Sequence, residues 1–406
     1  MKTLIRIFFL FSLTPALSQT LLTDPTSGCR YTLPWNCDDC TMKWTGSCQD
    51  NLPNGDGVLS VFHDSTEIMN YTGEMKNGHF NGVGSYQDGM NKMRGYFRNS
   101  MLVNIDSTLY AYIEHNQISA NDPTNINVSF YGSENLYYYG IRTVEEPIGA
   151  LVLLPSFYEQ AEGVLSNNSV LIKTAFENGL LVIVPTINHH LCLQQPAVDF
   201  LNNVFSDAIA RYNIPETNFV LAGFSLGGIN VLRYAELAFE NDLATRIQPR
   251  AVLAVDPPVD LVSLYNREME QLAKDSTYAE AKMVLEGIQK DIGTPTANYE
   301  RFVQYSAYSR AEDQGGNLKY LKDIPVRVYC DPDINWWMEN RNFSLHDINV
   351  TDISAMILKL KELGNDDAAF INALGKGYRL DGNRHPHSWS LIDPDECMDW
   401  VLSIIN

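Results

Sequence analysis

Positive charge is scarce in this chain, and so are long apolar runs beyond its first eighteen residues. Lysine and arginine total 29 against 49 aspartates and glutamates, for a formal net charge of −20. A surface of that sign repels phosphate backbones and anionic headgroups, which argues against nucleic acid and acidic membranes as partners. No later stretch approaches the roughly twenty apolar residues that a membrane helix needs, so no membrane span is expected. Histidine is sparse too, eight in 406 residues. The cluster Asn188-His189-His190-Leu191-Cys192 offers a poor zinc site, because adjacent histidines on an extended backbone point apart and no ligand spacing recurs nearby. It reads as a loop rim, and neither metal nor cofactor is expected.

The N-terminus is apolar but short. Lys2 and Arg6 precede a run from Ile7 to Leu13 and the small-residue Ala16-Leu17-Ser18, a pattern that predicts a signal peptide over 1–18, cut before Gln19. No cysteine follows the cut to carry a lipid, so the mature chain is expected to be exported, secreted or periplasmic. Cys29, Cys37, Cys40 and Cys48 crowd the mature N-terminus while Cys192, Cys330 and Cys397 are scattered. In an oxidising compartment the cluster predicts disulfides rather than a zinc site, with the pairing open.

Between about Trp44 and Leu102 a glycine pattern recurs. Trp44-Thr45-Gly46 leads to Asn54-Gly55-Asp56-Gly57, Tyr71-Thr72-Gly73 leads to Asn81-Gly82-Val83-Gly84, and a degenerate copy begins at Arg94-Gly95-Tyr96-Phe97. A recurrence of this kind predicts stacked hairpins. The segment resembles MORN repeats, which implies a small β-rich module over 19–104 suited to a protein or surface partner.

The texture then changes, and 105–406 is expected to form a second, larger domain. Predicted strands are Ser107 to Ile113, Ile126 to Tyr131, Leu136 to Thr143, Ala150 to Leu154, Gly179 to Val184, Asn218 to Ala222, Ala251 to Val255 and Val326 to Tyr329, with one more at Ala368 to Leu374 or Gly377 to Leu380. Short continuous apolar strands separated by helical patterns describe an α/β fold: a mostly parallel sheet with helices on both faces. Residues 257–323 are too many for a simple crossover and predict a helical cap inserted between two strands, proposed as mobile.

Gly223-Phe224-Ser225-Leu226-Gly227 is a G-x-S-x-G pattern, set between the apolar strand ending at Ala222 and a helical run from Ile229 to Phe239. That context predicts a nucleophile elbow, in which a strained serine tops a strand-to-helix turn. Here the chain resembles the α/β-hydrolase superfamily, from about Ser107 to the C-terminus. The resemblance implies a catalytic Ser225, an acid after strand Val326–Tyr329 and a histidine before the last helix. Cys330-Asp331-Pro332-Asp333 supplies Asp333 as the acid, with Asp331 the near alternative and Asp256 a more distant one. Arg384-His385-Pro386-His387-Ser388 supplies His387 in preference to His385. Oxyanion donors are expected at Leu226 N–H and at Phe157 in Pro155-Ser156-Phe157-Tyr158, with Ser156 second, since Pro155 has no N–H to give. Trp336 and Trp337 read as packing. The implied activity is hydrolysis of an acyl bond in a small molecule, first an ester, second a peptide. A binding protein that keeps the hydrolase shell is the third reading.

Overall fold

Two units make up the chain in this computed structural model, which describes residues 19–89, 91–120, 123–129, 136–241 and 244–406. The first unit ends at Leu102 and the second runs from Val103 to Asn406. The expected leader, residues 1–18, lies outside the described residues.

The first unit is antiparallel. A hairpin of β1 (Thr20–Thr23) and β2 (Arg30–Leu33) accompanies a sheet of β3 (Cys40–Trp44), β4 (Ser47–Gln49), β5 (Leu52–His63), β6 (Thr66–Lys76), β7 (His79–Asp88), β8 (Asn91–Arg98) and β9 (Met101–Val103). The cysteine cluster forms two disulfides, Cys29–Cys48 and Cys37–Cys40. The recurring glycines have a packing cause, because each repeat lays one aromatic ring across the backbone of the neighbouring strand. A Cβ on Gly57 would lie 2.5 Å from Trp44 Cη2, and one on Gly84 2.5 Å from Tyr71 Oη. Both lie far inside the contact distance of real Cβ atoms, so only glycine leaves room for the ring. Tyr71 Oη then donates to Glu74 O at 2.9 Å, and its ring stacks on Phe80 with centroids 3.9 Å apart.

The second unit is built on an eight-stranded sheet. Its strands are β10 (Ile113–Gln117), β11 (Tyr137–Ile141), β12 (Gly149–Leu154), β13 (Leu180–Pro185), β14 (Phe219–Phe224), β15 (Ala251–Val255), β16 (Val326–Cys330) and β17 (Ala368–Asn372), in the order β10-β11-β13-β12-β14-β15-β16-β17. β11 pairs antiparallel with both β10 and β13, and every other pair is parallel. Every residue of β12, β13 and β15 is buried, which requires cover on both faces and explains why these strands read as continuous apolar runs. The α/β expectation holds, with a mainly parallel sheet and an antiparallel module before it.

Two expected strands did not form. Ser107–Tyr112 is a 3-10 turn, because the Asp106 carboxylate accepts from Thr108 N at 2.9 Å and Thr108 Oγ1 at 2.6 Å and caps it. The described part of the other, from Ile126 to Ser129, is not a strand: Ile126 N and Asn127 N turn back onto Pro123 O, and Val128 N donates to Asn188 Oδ1 at 2.8 Å.

Helices cover the sheet: α1 (Ala161–Asn167), α2 (Ser169–Glu177), α3 (Gln195–Tyr212), α4 (Leu226–Glu240), α5 (Leu261–Lys274), α6 (Ala279–Asp291), α7 (Pro295–Tyr305), α8 (Ile334–Arg341), α9 (Val350–Glu362) and α10 (Pro394–Ile405). The segment 257–323 contains α5, α6 and α7. Leu261, Ile288, Ile292 and Phe302 of this segment belong to the same buried cluster as the sheet strands. Arg267 also bonds Asp352 of α9 at 2.7 Å. One side of the insertion is thus buried in the second unit's apolar cluster.

One feature of the topology positions the site. From β12 the chain goes to β13 on one side, then crosses back to β14 on the other. The winding order thus reverses between the parallel neighbours β12 and β14, and in open α/β sheets ligands bind outside the carboxyl ends at such a switch.

Candidate active site

Ser225 stands at that switch point, directly after β14 and as the N-cap of α4, with φ 53° and ψ −117°. Few L-residues adopt that backbone. It is held there by Ser225 N donating to Val255 O at 2.8 Å and by Ser225 O accepting from Gly228 N at 2.9 Å. The two flanking glycines permit the turn. A Cβ on Gly223 would strike the backbone of Gly227, and one on Gly227 would meet Leu154 O and lie 2.6 Å from Pro155 O. Gly227 therefore lets the end of β12 close over the start of α4.

Tyr158 in the loop after β12 and Asp256 directly after β15 also have positive φ, 57° and 45°. Non-glycine residues in such regions cost on the order of 1–3 kcal/mol each, less for aspartate than for a bulky tyrosine. Tyr158, Ser225 and Asp256 follow the carboxyl ends of β12, β14 and β15, so three of the second unit's positive-φ residues other than glycine lie along one edge of the sheet.

His387 is held by Asp256. Its Nδ1 lies 2.6 Å from Asp256 Oδ2, with the His387 side chain 22% exposed and that of Asp256 8%. The pairing fixes the tautomer: Nδ1–H donates to the carboxylate and Nε2 is left with its lone pair. The other Asp256 oxygen accepts from the Cys330 thiol at 3.4 Å. Burial and the Asp256 charge push Cys330 well above the usual thiol range, so it remains a neutral donor. The ring of Phe224, the residue before Ser225, lies 4.5 Å from the His387 ring. The hydroxyl of Ser225 makes no side-chain hydrogen bond among the described residues.

Asp333, the acid expected from sequence, stands elsewhere. It caps α8, accepting from Trp336 N at 3.1 Å, and its other oxygen accepts from Arg384 Nη2 at 3.0 Å. Asp331 holds the same guanidinium at 2.6 Å and accepts from Gly375 N and Gly377 N, each at 3.2 Å. Both acids of the D-P-D sequence are thus occupied in tying down the loop that carries His387, and the carboxylate that reaches the imidazole comes from the preceding strand. The alternative base, His385, makes no contact with a carboxylate among the described residues.

Of the expected oxyanion donors, Phe157 N–H and Leu226 N–H have no acceptor among the described residues, whereas Ser156 N is taken by Glu159 Oε2 at 2.9 Å. Sequence reasoning missed Glu159. Its carboxylate also accepts from Trp389 Nε1 at 3.0 Å and from Asn167 Nδ2 at 3.2 Å. It thereby ties the loop after β12 to the loop that carries His387. Burial raises its pKa to about 7 despite these donors. His190, read as a loop rim, bonds Asp291 at 2.8 Å through Nδ1 and Asn125 at 2.8 Å through Nε2.

The second unit is a mainly parallel α/β sheet between helices. No protein-family model matches the sequence, and no curated protein does. Solved structures similar in fold include MPT51 of Mycobacterium tuberculosis, at 12% identity and a TM-score of 0.46, covering 72% of this chain and 99% of that one. FphF of Staphylococcus aureus, a fluorophosphonate-binding serine hydrolase, is 12% identical with a TM-score of 0.42 over 72% of this chain and 98% of its own. An esterase of Rhizomucor miehei is 15% identical with a TM-score of 0.46 over 72% and 82%.

Proposed function

We propose that the second unit is a serine hydrolase acting on a carboxylic ester through Ser225, His387 and Asp256. The observation that carries this reading is the Asp256–His387 hydrogen bond beside a serine held at positive φ on a strand-to-helix turn. His387 Nε2 takes the proton from Ser225 Oγ as the oxygen attacks the substrate carbonyl. The positive end of α4, together with Leu226 N–H and Phe157 N–H, stabilises the tetrahedral oxyanion. Collapse expels the alcohol, which leaves with the proton from His387. A water then repeats the sequence on the acyl-enzyme and releases the acid. Asp256 keeps the imidazole in its productive tautomer and balances its transient charge. The test is labelling by a fluorophosphonate probe, with the modified residue located by mass spectrometry, beside matched p-nitrophenyl ester and peptide p-nitroanilide panels. Modification of Ser225 and turnover of esters are expected. Labelling at another serine overturns the assignment, and faster turnover of the peptide panel makes the chain a peptidase.

Glu159 acts in this scheme as a positioning residue. Glu159→Gln keeps the size but replaces an acceptor oxygen with a donor, which faces either Ser156 N–H or Trp389 Nε1–H. Both the loop of the oxyanion donor and that of the base loosen. The expected result is a fall in kcat of roughly tenfold with KM little changed, since small misplacements of reacting groups cost rate rather than binding. A loss confined to KM would show that Glu159 instead shapes the substrate site.

The reading also includes export after cleavage near Ser18. The disulfides of the first unit support it, since such bonds persist in oxidising compartments. The repeated aromatic-over-glycine hairpins support a MORN-like module whose role is a protein or surface partner.

A further inference from the structure

Arg341, the last residue of α8, and Arg379, in the loop before the proposed base, converge on one atom. Arg341 Nη2 lies 3.4 Å and Arg379 Nη2 3.2 Å from His385 Nε2. A guanidinium can only donate, so Nε2 carries the lone pair and the ring proton sits on Nδ1, which faces His387 O at 3.0 Å with His387 N also 3.2 Å away. His385 is therefore a neutral imidazole wedged between two cations. Burial, with Arg379 the largest of the neighbouring charges, holds it well below the usual imidazole range. The edge of Trp336 packs on the ring at 5.0 Å. This ring is two residues from the one that Asp256 orients.

These two arginines differ from all others in the second unit. Each of the rest bonds a carboxylate or a backbone carbonyl: Arg267 holds Asp352, Arg384 holds Asp331, and Arg250 and Arg301 cap Ile404 O and Asp291 O. Among the described residues Arg341 and Arg379 have only the shared imidazole nitrogen, although the chain holds 49 acidic side chains against 29 basic ones. Two carboxylates lie in the neighbourhood, and neither is in ion-pair contact with them. Glu280, at the start of α6, accepts from Tyr278 Oη at 2.8 Å. Asp381 accepts from Asn383 N at 2.9 Å and Asn383 Nδ2 at 2.6 Å. Both arginines are exposed to solvent, so most of their N–H donors are free to meet a ligand. Two like charges gathered beside a site, with no carboxylate in ion-pair contact among the described residues, fit the recognition of planar or tetrahedral oxyanions, which guanidinium groups bind by paired hydrogen bonds.

We propose that Arg341 and Arg379 form a recognition site for an oxyanion group, a carboxylate or a phosphate, carried by the ester substrate beside Ser225. The substrate class becomes an anionic ester rather than a plain fatty one. This rests on the reading of Ser225 as the nucleophile.

The test compares kcat/KM for the mono-p-nitrophenyl ester of succinic acid with that for p-nitrophenyl butyrate, in the full chain and in Arg341→Gln, Arg379→Gln and the double variant. The wild type should favour the charged ester, and the double variant should lose roughly ten- to a hundredfold of that ratio, the worth of one or two charged hydrogen bonds. Arg341→Lys with Arg379→Lys should recover part of it. Calorimetric titration with succinate and with inorganic phosphate reads the site without turnover: whichever binds, and ceases to bind in the double variant, names the oxyanion. The proposal is overturned if the ratio is the same in wild type and double variant, or if neither anion binds. Failure of the fluorophosphonate to label Ser225 defeats the hydrolase reading separately, because the titrations do not depend on it.

Discussion

Ser225→Ala is expected to abolish ester turnover and fluorophosphonate labelling, and His387→Ala to cost nearly as much, on the order of 10⁶ in kcat where nucleophile and base act as a unit. His385→Ala should cost far less, since that ring meets His387 at its backbone O and N rather than at its imidazole. The reverse ranking would move the base to His385. Stability separates a catalytic serine from a structural one. At φ 53° and ψ −117° both serine and alanine are strained, so Ser225→Ala should melt within a few degrees of the wild type. Glycine accepts that backbone freely, and the strain it relieves, about 1–3 kcal/mol, exceeds the roughly 0.5–1 kcal/mol of extra unfolded-state freedom it brings. Ser225→Gly should therefore be inactive and melt a few degrees higher. A serine whose removal raises stability while ending turnover is one kept for its chemistry. A Ser225→Gly variant that melts well below the wild type would show that the hydroxyl supports the fold.

The sheet was legible because burial on both faces leaves a strand no polar residues. Ala251–Val255 reads as a strand from its five apolar letters alone, and its bounds in the structure are the same. The turn at Ser225 was legible for a related reason: strand, glycine, serine, glycine and helix are contiguous, so the information is local. Ser107–Tyr112 misled because its aromatic and β-branched residues favour a strand, while the Asp106 cap that bends them into a 3-10 turn is a single side chain. The charged faces of α5 and α6 read as those of a segment packed on one side, and Ile288 and Phe302 are buried with the sheet strands. The carboxylate partner of His387 was least legible, since Asp256 and His387 are 131 positions apart. No local pattern separates one strand-end aspartate from another, and that choice depends on which loop reaches the histidine.

That choice sets the remaining large effect. Asp256→Asn is expected to lower kcat by on the order of 10⁴, because an amide facing Nδ1 can present N–H where the imidazole needs an acceptor, which turns the ring to the wrong tautomer. KM should change little, and the melting temperature only modestly, since asparagine keeps the volume and accepts the positive φ of 45°. Asp333→Asn should behave differently. It weakens one of two carboxylate contacts to Arg384, and Asp331 remains on that guanidinium at 2.6 Å, so a loss in kcat within about tenfold is expected. Asp331→Asn should fall between them through stability rather than chemistry: its carboxylate is buried and holds Gly375 N and Gly377 N as well as Arg384, and breaking a buried pair costs about 3–5 kcal/mol. Temperature and co-solvent separate the two causes. Loss of the orienting acid persists at every temperature, whereas a loosened histidine loop is restored in part by cooling or by a stabilising co-solvent. If Asp333→Asn costs as much as Asp256→Asn and neither lowers the melting temperature, the imidazole changes partner during the reaction, and the Asp256 hydrogen bond belongs to the resting state alone.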